Sequence, residues 1–241
     1  MNREVLCGMS GGVDSSVTAY LLREQGYQVA GCTMRLFDNE DIGQGQESSC
    51  CSLNDVEDAK QVCYKLGLPH YVFHFAKEFR RDVMCPFARA YLEGRTPNPC
   101  IDCNRHLKFG RLVIRAAEVE MRYVATGHYA RITRQGDRWL LQKSVDRKKD
   151  QTYFLYHLTQ QQMDHFLMPL GELTKEEVRG IAAEQGFPTL ASETVRIFAL
   201  SQTETTVLLS SVSLAFRFRP VRISTEMERF WAHTEGTSAT P

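Results

Sequence analysis

Apolar positions in the first 190 residues fall into two kinds of run. Short, nearly continuous ones are Val5-Leu6-Cys7, Val29 to Met34, Leu68 to Phe75 and Met121 to Ala130. Between them lie longer segments with apolar residues every three or four positions: Val17 to Leu22, Val56 to Leu66, Phe79 to Glu93 and Arg111 to Val119. The first kind predicts strands, the one over Val29 to Met34 buried, and the second predicts amphipathic helices. Gly26 and Gly67 follow two of the helical segments as stop signals. Strands that alternate with helices imply an α/β fold with a doubly wound, Rossmann-like parallel sheet. Ile132 to Gln142, with Gly136-Asp137 at its centre, predicts a β-hairpin. Gln160 to Phe166 and Thr174 to Gln185 read as helices, the second capped by Thr174 with Glu177 three residues on.

Composition narrows the class. The 241 residues are 43% hydrophobic and 24% charged, as in ordinary globular proteins, and suffice for one large domain or two smaller ones. No apolar run approaches the roughly 18 residues of a membrane span. The chain enters a strand at once, without a charged-then-apolar leader, so a cytoplasmic protein without a membrane partner is expected. There, eight cysteines are reduced, metal-bound or catalytic rather than a disulfide scaffold. The formal net charge is zero, yet Arg105 to Lys149 holds 12 Lys/Arg against 4 Asp/Glu. A local basic field of that kind suits a phosphate backbone, and it equally suits a solvated surface.

The candidate chemistry begins at Gly8-Met9-Ser10-Gly11-Gly12-Val13-Asp14-Ser15-Ser16, between the first strand and the first helix. Adjacent glycines allow a tight turn whose N–H groups converge, serine hydroxyls add donors, and the helix adds its positive end. The string matches neither Walker A nor G-x-G-x-x-G. Met34 and Gly127 end strands, where nucleotides bind such sheets. Pro97-Asn98-Pro99 predicts a stiff extended loop ahead of Cys100 and Cys103. That C-x-x-C pair suits redox chemistry, half a metal site or a catalytic thiol, and Arg105, Lys108 and a following helix start would favour the thiolate. Arg147 to Leu155 combines cations, an amide and two aromatics, as phosphate contact and base stacking need. His70 and His74 share one face of a strand and read as satisfied or exposed side chains rather than metal ligands.

Taken together, these strings resemble the tRNA-specific 2-thiouridylase family of PP-loop ATP pyrophosphatases. The matching pieces are G-M-S-G-G-V-D-S-S, the Met34 strand end, R-T-P-N-P-C-I-D-C-N, A-T-G-H-Y-A and K-K-D-Q-T-Y-F-L, in the family's order over residues 1 to 191. The resemblance implies an enzyme that uses ATP with Mg²⁺ to adenylate the 2-oxygen of a wobble uridine in tRNA. Sulfur from a cysteine persulfide then replaces that oxygen, a relay protein or cysteine desulfurase having supplied it. It implies that Gly8, Met9, Ser10, Gly11, Gly12, Val13, Asp14, Ser15, Met34 and Gly127 hold ATP. Cys103 is then the catalytic cysteine with Cys100 beside it. Asn98, Pro99 and Cys100 meet the target base, and Lys149, Asp150 and Gln151 touch tRNA. Many members carry an acidic residue where Cys100 stands. That leaves acid/base work unassigned and opens the way to an iron–sulfur cluster at Cys100 and Cys103. Competing readings are another PP-loop tRNA sulfurtransferase, a nucleotide-binding remnant without catalysis, and a metal module on Cys50, Cys51, Cys100 and Cys103.

Residues 192–241 break the resemblance. They hold no cysteine, whereas the family runs on through a second persulfide-bearing cysteine, a tRNA-clasping domain and a β-barrel. With the reading frame shifted by one base, one permitted reading of Val195 to Thr206 is Q-D-I-C-F-V-P-D-G-D-Y, and of Met227 to Gly236 G-K-V-L-G-T-H-R-G, both family strings. The expectation is a catalytic domain over 1–191 and a frameshifted segment over 192–241 that does not pack, leaving the chain as written impaired in thiolation.

Overall fold

The computed structural model describes residues 3–36 and 53–187, all within one compact unit, Met1–Ala199. Residues 192–241, Cys50 and Cys51 lie outside the described residues, and so do the expectations placed on them.

A parallel sheet of five strands runs β3-β2-β1-β4-β7, made of β1 (Glu4–Gly8), β2 (Gln28–Arg35), β3 (His70–His74), β4 (Tyr123–Ala125) and β7 (Phe166–Leu167). The side-chain period of two splits the apolar run of β1 between the sheet's faces: Leu6 enters one core, and Val5 and Cys7 enter the other. Helices α1 (Val13–Glu24), α2 (Leu53–Leu66) and α8 (Lys175–Glu184) cover the Val5 face. The Leu6 face is covered by α3 (Ala76–Phe79), α6 (Leu112–Glu118) and the stretches 80–84 and 103–111, through Phe79, Val83, Leu107 and Leu112, with α4 (Cys85–Leu92) and α5 (Pro99–Asp102) next to them in the chain. The doubly wound α/β fold expected from the alternation is therefore present. Its strand order reverses between β1 and β4, which places a crevice at their carboxyl ends.

The predicted hairpin forms as β5 (Ala130–Gln135) and β6 (Arg138–Lys143), closed by Gly136-Asp137 with Gly136 at φ 57°. The predicted capping box also forms: the Thr174 hydroxyl accepts the Glu177 N–H, and the Glu177 carboxylate accepts the Thr174 N–H. His70 Nε2 lies 2.9 Å from Thr33 Oγ1 and His74 is exposed, so neither strand histidine reads as a ligand.

Three elements differ from the sequence expectation. The predicted helix over 79–93 starts at Ala76 and passes through a π-helical stretch, Arg80–Met84, before α4. Pro86 explains this, because it lacks an N–H and crowds the carbonyl four residues back, so the turn before it widens. The extended loop ends at Asn98, whose Oδ1 accepts the Cys100 N–H at 3.0 Å and caps a helix beginning at Pro99. That helix reaches Glu118 through a π-helical run, Cys103–Arg111, so Cys100 and Cys103 lie inside a helix rather than ahead of one. A Cβ on Gly110 would come 3.1 Å from the Arg105 carbonyl, so glycine lets this wide turn close. The third difference is at 160–166: only α7 (Gln160–Met163) is helical, and Phe166 starts β7. Two residues are too few to show a period; pairing with Val124 and Ala125 defines that strand.

Candidate active site

The turn after β1 lies where the strand order reverses. Met9 N–H donates to the Cys32 carbonyl at 2.7 Å, folding the turn over the end of β2. Gly11 has φ 70°, and a Cβ on it would stand 2.7 Å from the Asp55 carbonyl oxygen, so no larger residue fits without displacing α2. Ser10 N–H donates to Ser15 Oγ at 3.2 Å, and the Ser15 and Ser16 hydroxyls both donate to the Gly12 carbonyl at 3.0 Å. The sequence offered these hydroxyls as ligand donors; in the structure Ser15 and Ser16 brace the turn, and the backbone amides are what it presents. Val13, Asp14 and Ser15 are buried in the first turn of α1.

The A-T-G-H-Y-A string meets this turn from β4. A Cβ on Gly127 would lie 3.0 Å from the Asp14 carbonyl carbon and 3.1 Å from Ser15 N, so glycine permits the contact. Tyr129 Oη donates to Asp14 Oδ1 at 2.8 Å, and the Lys175 ammonium pairs with the same oxygen at 2.6 Å. Burial, reinforced by Asp14, raises the Tyr129 hydroxyl far above the ordinary phenol value and keeps it a donor. Met34 stands near the carboxyl end of β2 with its side chain in the core, which leaves its backbone for any ligand contact.

The helix bearing the cysteines is reached through the second half of the chain. Gln151 Oε1 accepts Tyr129 N–H at 2.9 Å, while Gln151 N–H donates to the Tyr129 carbonyl at 2.9 Å. Asp150 accepts from Ser144 N–H at 2.9 Å and from the Thr152 hydroxyl at 2.6 Å. Two of the three residues proposed for tRNA contact thus shape the loop that carries Lys149, which is exposed. A 3₁₀ turn, Thr152–Leu155, follows, and its Phe154 carbonyl accepts from Asn104 Nδ2 at 3.5 Å, next to Cys103. Cys100 and Cys103 are partly exposed, and Cys103 packs on the Leu6-side core.

Both pieces lie at one edge of the sheet. The helix from Pro99 to Glu118 runs antiparallel to the strand it feeds, so its start is at the carboxyl edge, with the turn. Leu112 meets the end of β1, since its Cδ2 lies 3.6 Å from a Cβ built on Gly8. Cys103 stands nine residues earlier in the same helix, further out from that end of β1.

Asn104 Oδ1 and both ring nitrogens of His157 are buried without a hydrogen-bond partner among the described residues. His157 and His128 flank Phe109, with centroid distances of 6.0 and 5.7 Å. Burial first, then neighbouring cations, depresses both imidazoles below the ordinary value of 6.5 and holds them neutral: Lys108 acts beside His128, and Arg105 beside His157. Among the described residues no three His, Cys, Asp or Glu stand together as a metal-holding group. Cys100 and Cys103 supply two thiols where an iron–sulfur cluster takes four.

The reading of the sequence gave no role to Lys175, Tyr129, Asn104 or His157. Tyr129 lies within a quoted string, and Asn104 closes another. Lys175, 161 residues from Asp14, carries no signal in the sequence beyond following a helix cap.

Residues 3–195 match the family described as the tRNA methyl transferase HUP domain. A tRNA-specific 2-thiouridylase of Clostridium botulinum is 53% identical over 184 residues, 76% of this chain and 51% of that protein. Counterparts from Clostridium kluyveri and Clostridioides difficile are 54% and 53% identical over 77% of this chain and 52% of their own. The chain spans about half the length of these curated relatives. Among solved structures, an NMN synthetase from Francisella tularensis has a TM-score of 0.49 at 16% identity, covering 100% of this chain and 90% of its own. A predicted tRNA methyltransferase subunit from Methanocaldococcus jannaschii has 0.47 at 17%, covering 86% of each chain. Both are likenesses of architecture only.

Proposed function

The chain belongs to the tRNA methyl transferase HUP domain family, and from that premise we propose that it acts in ATP-dependent 2-thiolation of tRNA uridine. The observation that carries the reading is the run of contacts from turn to thiol: Gly127 against Asp14 and Ser15, Tyr129 bonded to Gln151, and Phe154 bonded to Asn104 beside Cys103. It gathers on one edge the four strings that chemistry of this kind requires.

The amides of Gly11 to Ser15, which follow the two amides spent on bracing the turn, take the polyphosphate of ATP, and the backbone at Met34 and Gly127 borders the nucleoside. Mg²⁺, where it enters, rides on the phosphates and neutralises them. Asn98 to Cys100 receive the flipped uridine, and Lys149 meets the tRNA backbone. The uridine 2-oxygen bonds to the α-phosphorus as the bond to pyrophosphate breaks. The terminal sulfur of a persulfide, delivered by a relay protein or desulfurase, then bonds to C2. The C2–O bond breaks and AMP departs. A Cys103 thiolate cuts the remaining S–S bond, leaving a disulfide and the 2-thio base. Cys100, three residues earlier in the helix, is its exchange partner.

The family description mentions methyl transfer. We read thiolation instead, because the 53% identical relatives are named for it and because two partly exposed thiols stand three residues apart in one helix. Incubating the full chain with ATP, a persulfide donor and unmodified tRNA tests the proposal. Expected are pyrophosphate release that depends on tRNA and a 16-dalton gain at uridine by mass spectrometry that is far slower than for a full-length relative, because residues 192–241 lack the second cysteine. ATP binding without either product refutes catalysis and leaves a nucleotide-binding remnant. The reading of residues 192–241 as shifted by one base rests on the two recovered strings. It is tested by sequencing the gene across codon 192.

A further inference from the structure

We propose that Lys175 is a ligand of the ATP polyphosphate, held ready beside the turn by Asp14. The inference rests on the nucleotide reading above and adds to it a residue from the far end of the fold.

Among the described ion pairs, Lys175 with Asp14 is the most enclosed: the side chains are 12% and 11% exposed. The others are largely surface pairs such as Arg115–Glu118 at 43% and 51%. Enclosing a lysine costs hydration of a compact cation, so its place in the fold is informative. Asp14 is the second residue of α1, next to Ser15 in the phosphate turn.

The Lys175 backbone is fixed. Its N–H donates to Asp146 Oδ2 at 3.0 Å, and the residue opens α8 behind the Thr174 capping box. The ammonium lies 5.8 Å from the centroid of Tyr129. An ammonium carries three donors. Among the described residues Nζ finds one acceptor, Asp14 Oδ1, and that oxygen is already shared with the Tyr129 hydroxyl. Two donors of an anchored cation are therefore unspent at the mouth of an amide turn. A phosphate chain supplies the acceptors they lack. Asp14 then acts as a placeholder, keeping the cation at the turn while no anion is bound.

A purely structural role, clamping α8 to α1, makes a different forecast, and nucleotide length separates the two. Binding of ATP, AMP and inorganic pyrophosphate to the full chain is measured by calorimetry for wild type and Lys175→Met. The expected result is a loss of about tenfold or more for ATP and pyrophosphate, the scale of a charge-assisted hydrogen bond, with AMP unchanged. Equal losses for ATP and AMP, or unchanged ATP affinity with a lowered Tm, would overturn the proposal. Should Lys175→Met fail to fold, amine labelling of the wild-type chain replaces it, read at Lys175 by peptide mass spectrometry. ATP and pyrophosphate should each slow that labelling about tenfold and AMP should not, and no protection by pyrophosphate refutes the idea. If wild type binds neither ATP nor pyrophosphate, the nucleotide reading itself fails, and this inference falls with it.

Discussion

The six described cysteines divide into two sets with opposite chemistry. Cys7, Cys32 and Cys63 line the sheet and are buried, whereas Cys85, Cys100 and Cys103 lie partly exposed on the helices of the Leu6 face. Burial pushes all three core thiols up, Cys63 to about 11 and the other two further. Cys63 Sγ rests 3.2 Å from Met9 Sδ, and any side chain on Gly31 would collide with it. These sulfurs fill space as small hydrophobes. The outer three are partly exposed, and Cys100 and Cys103 stand near the start of one helix. Composition counts all of them alike. Depth in the fold makes half of them inert and leaves half available, so a cysteine count says little about sulfur chemistry until each thiol is placed.

Several experiments would break or sharpen that contrast. Cys103→Ser should abolish sulfur transfer, a fall of about a thousandfold or more, and leave ATP affinity intact; Cys63→Ser should instead lower Tm and leave turnover per folded molecule unchanged. A Cys103→Ser protein that still thiolates would dissolve the distinction. Alkylation by iodoacetamide, followed by peptide mass spectrometry, should mark Cys100 and Cys103 at least about a hundredfold faster than Cys7 or Cys32, which must await opening of the sheet. Comparable rates for both sets would show the core to be loose.

The smallest effect concerns the neutral imidazoles that flank Phe109. His128 and His157 have folded values below 6.5, so the unfolded chain binds more protons as pH falls. Stability is then full above about 6.5 and declines as the pH drops below it. Carboxylates with lowered values, such as Asp82, titrate further down, so a Tm series from pH 7.5 to 5 isolates the histidines. His157→Gln should flatten that series, and an unchanged slope would remove His157 from the account.

Much of this was legible along the chain. The turn from Gly8 to Ser16, the hairpin at Gly136-Asp137 and the Thr174 cap are local devices, each fixed by residues within a few positions of one another. The sheet followed from alternating strands and helices. The helix around the cysteines was misjudged because its start depends on Asn98 folding back as a cap, and its course on π-helical turns that leave no period. β7 was invisible because its two residues are strand only by pairing with β4.

Sequence by itself determined which backbone segments turn, cap and alternate, since those preferences act between near neighbours. Tertiary structure decided which cysteines are buried, which side chains brace the turn from Gly8 to Ser16, and that Lys175 stands beside Asp14. Those outcomes depend on burial and on pairs brought together from distant parts of the chain, and no local pattern encodes either.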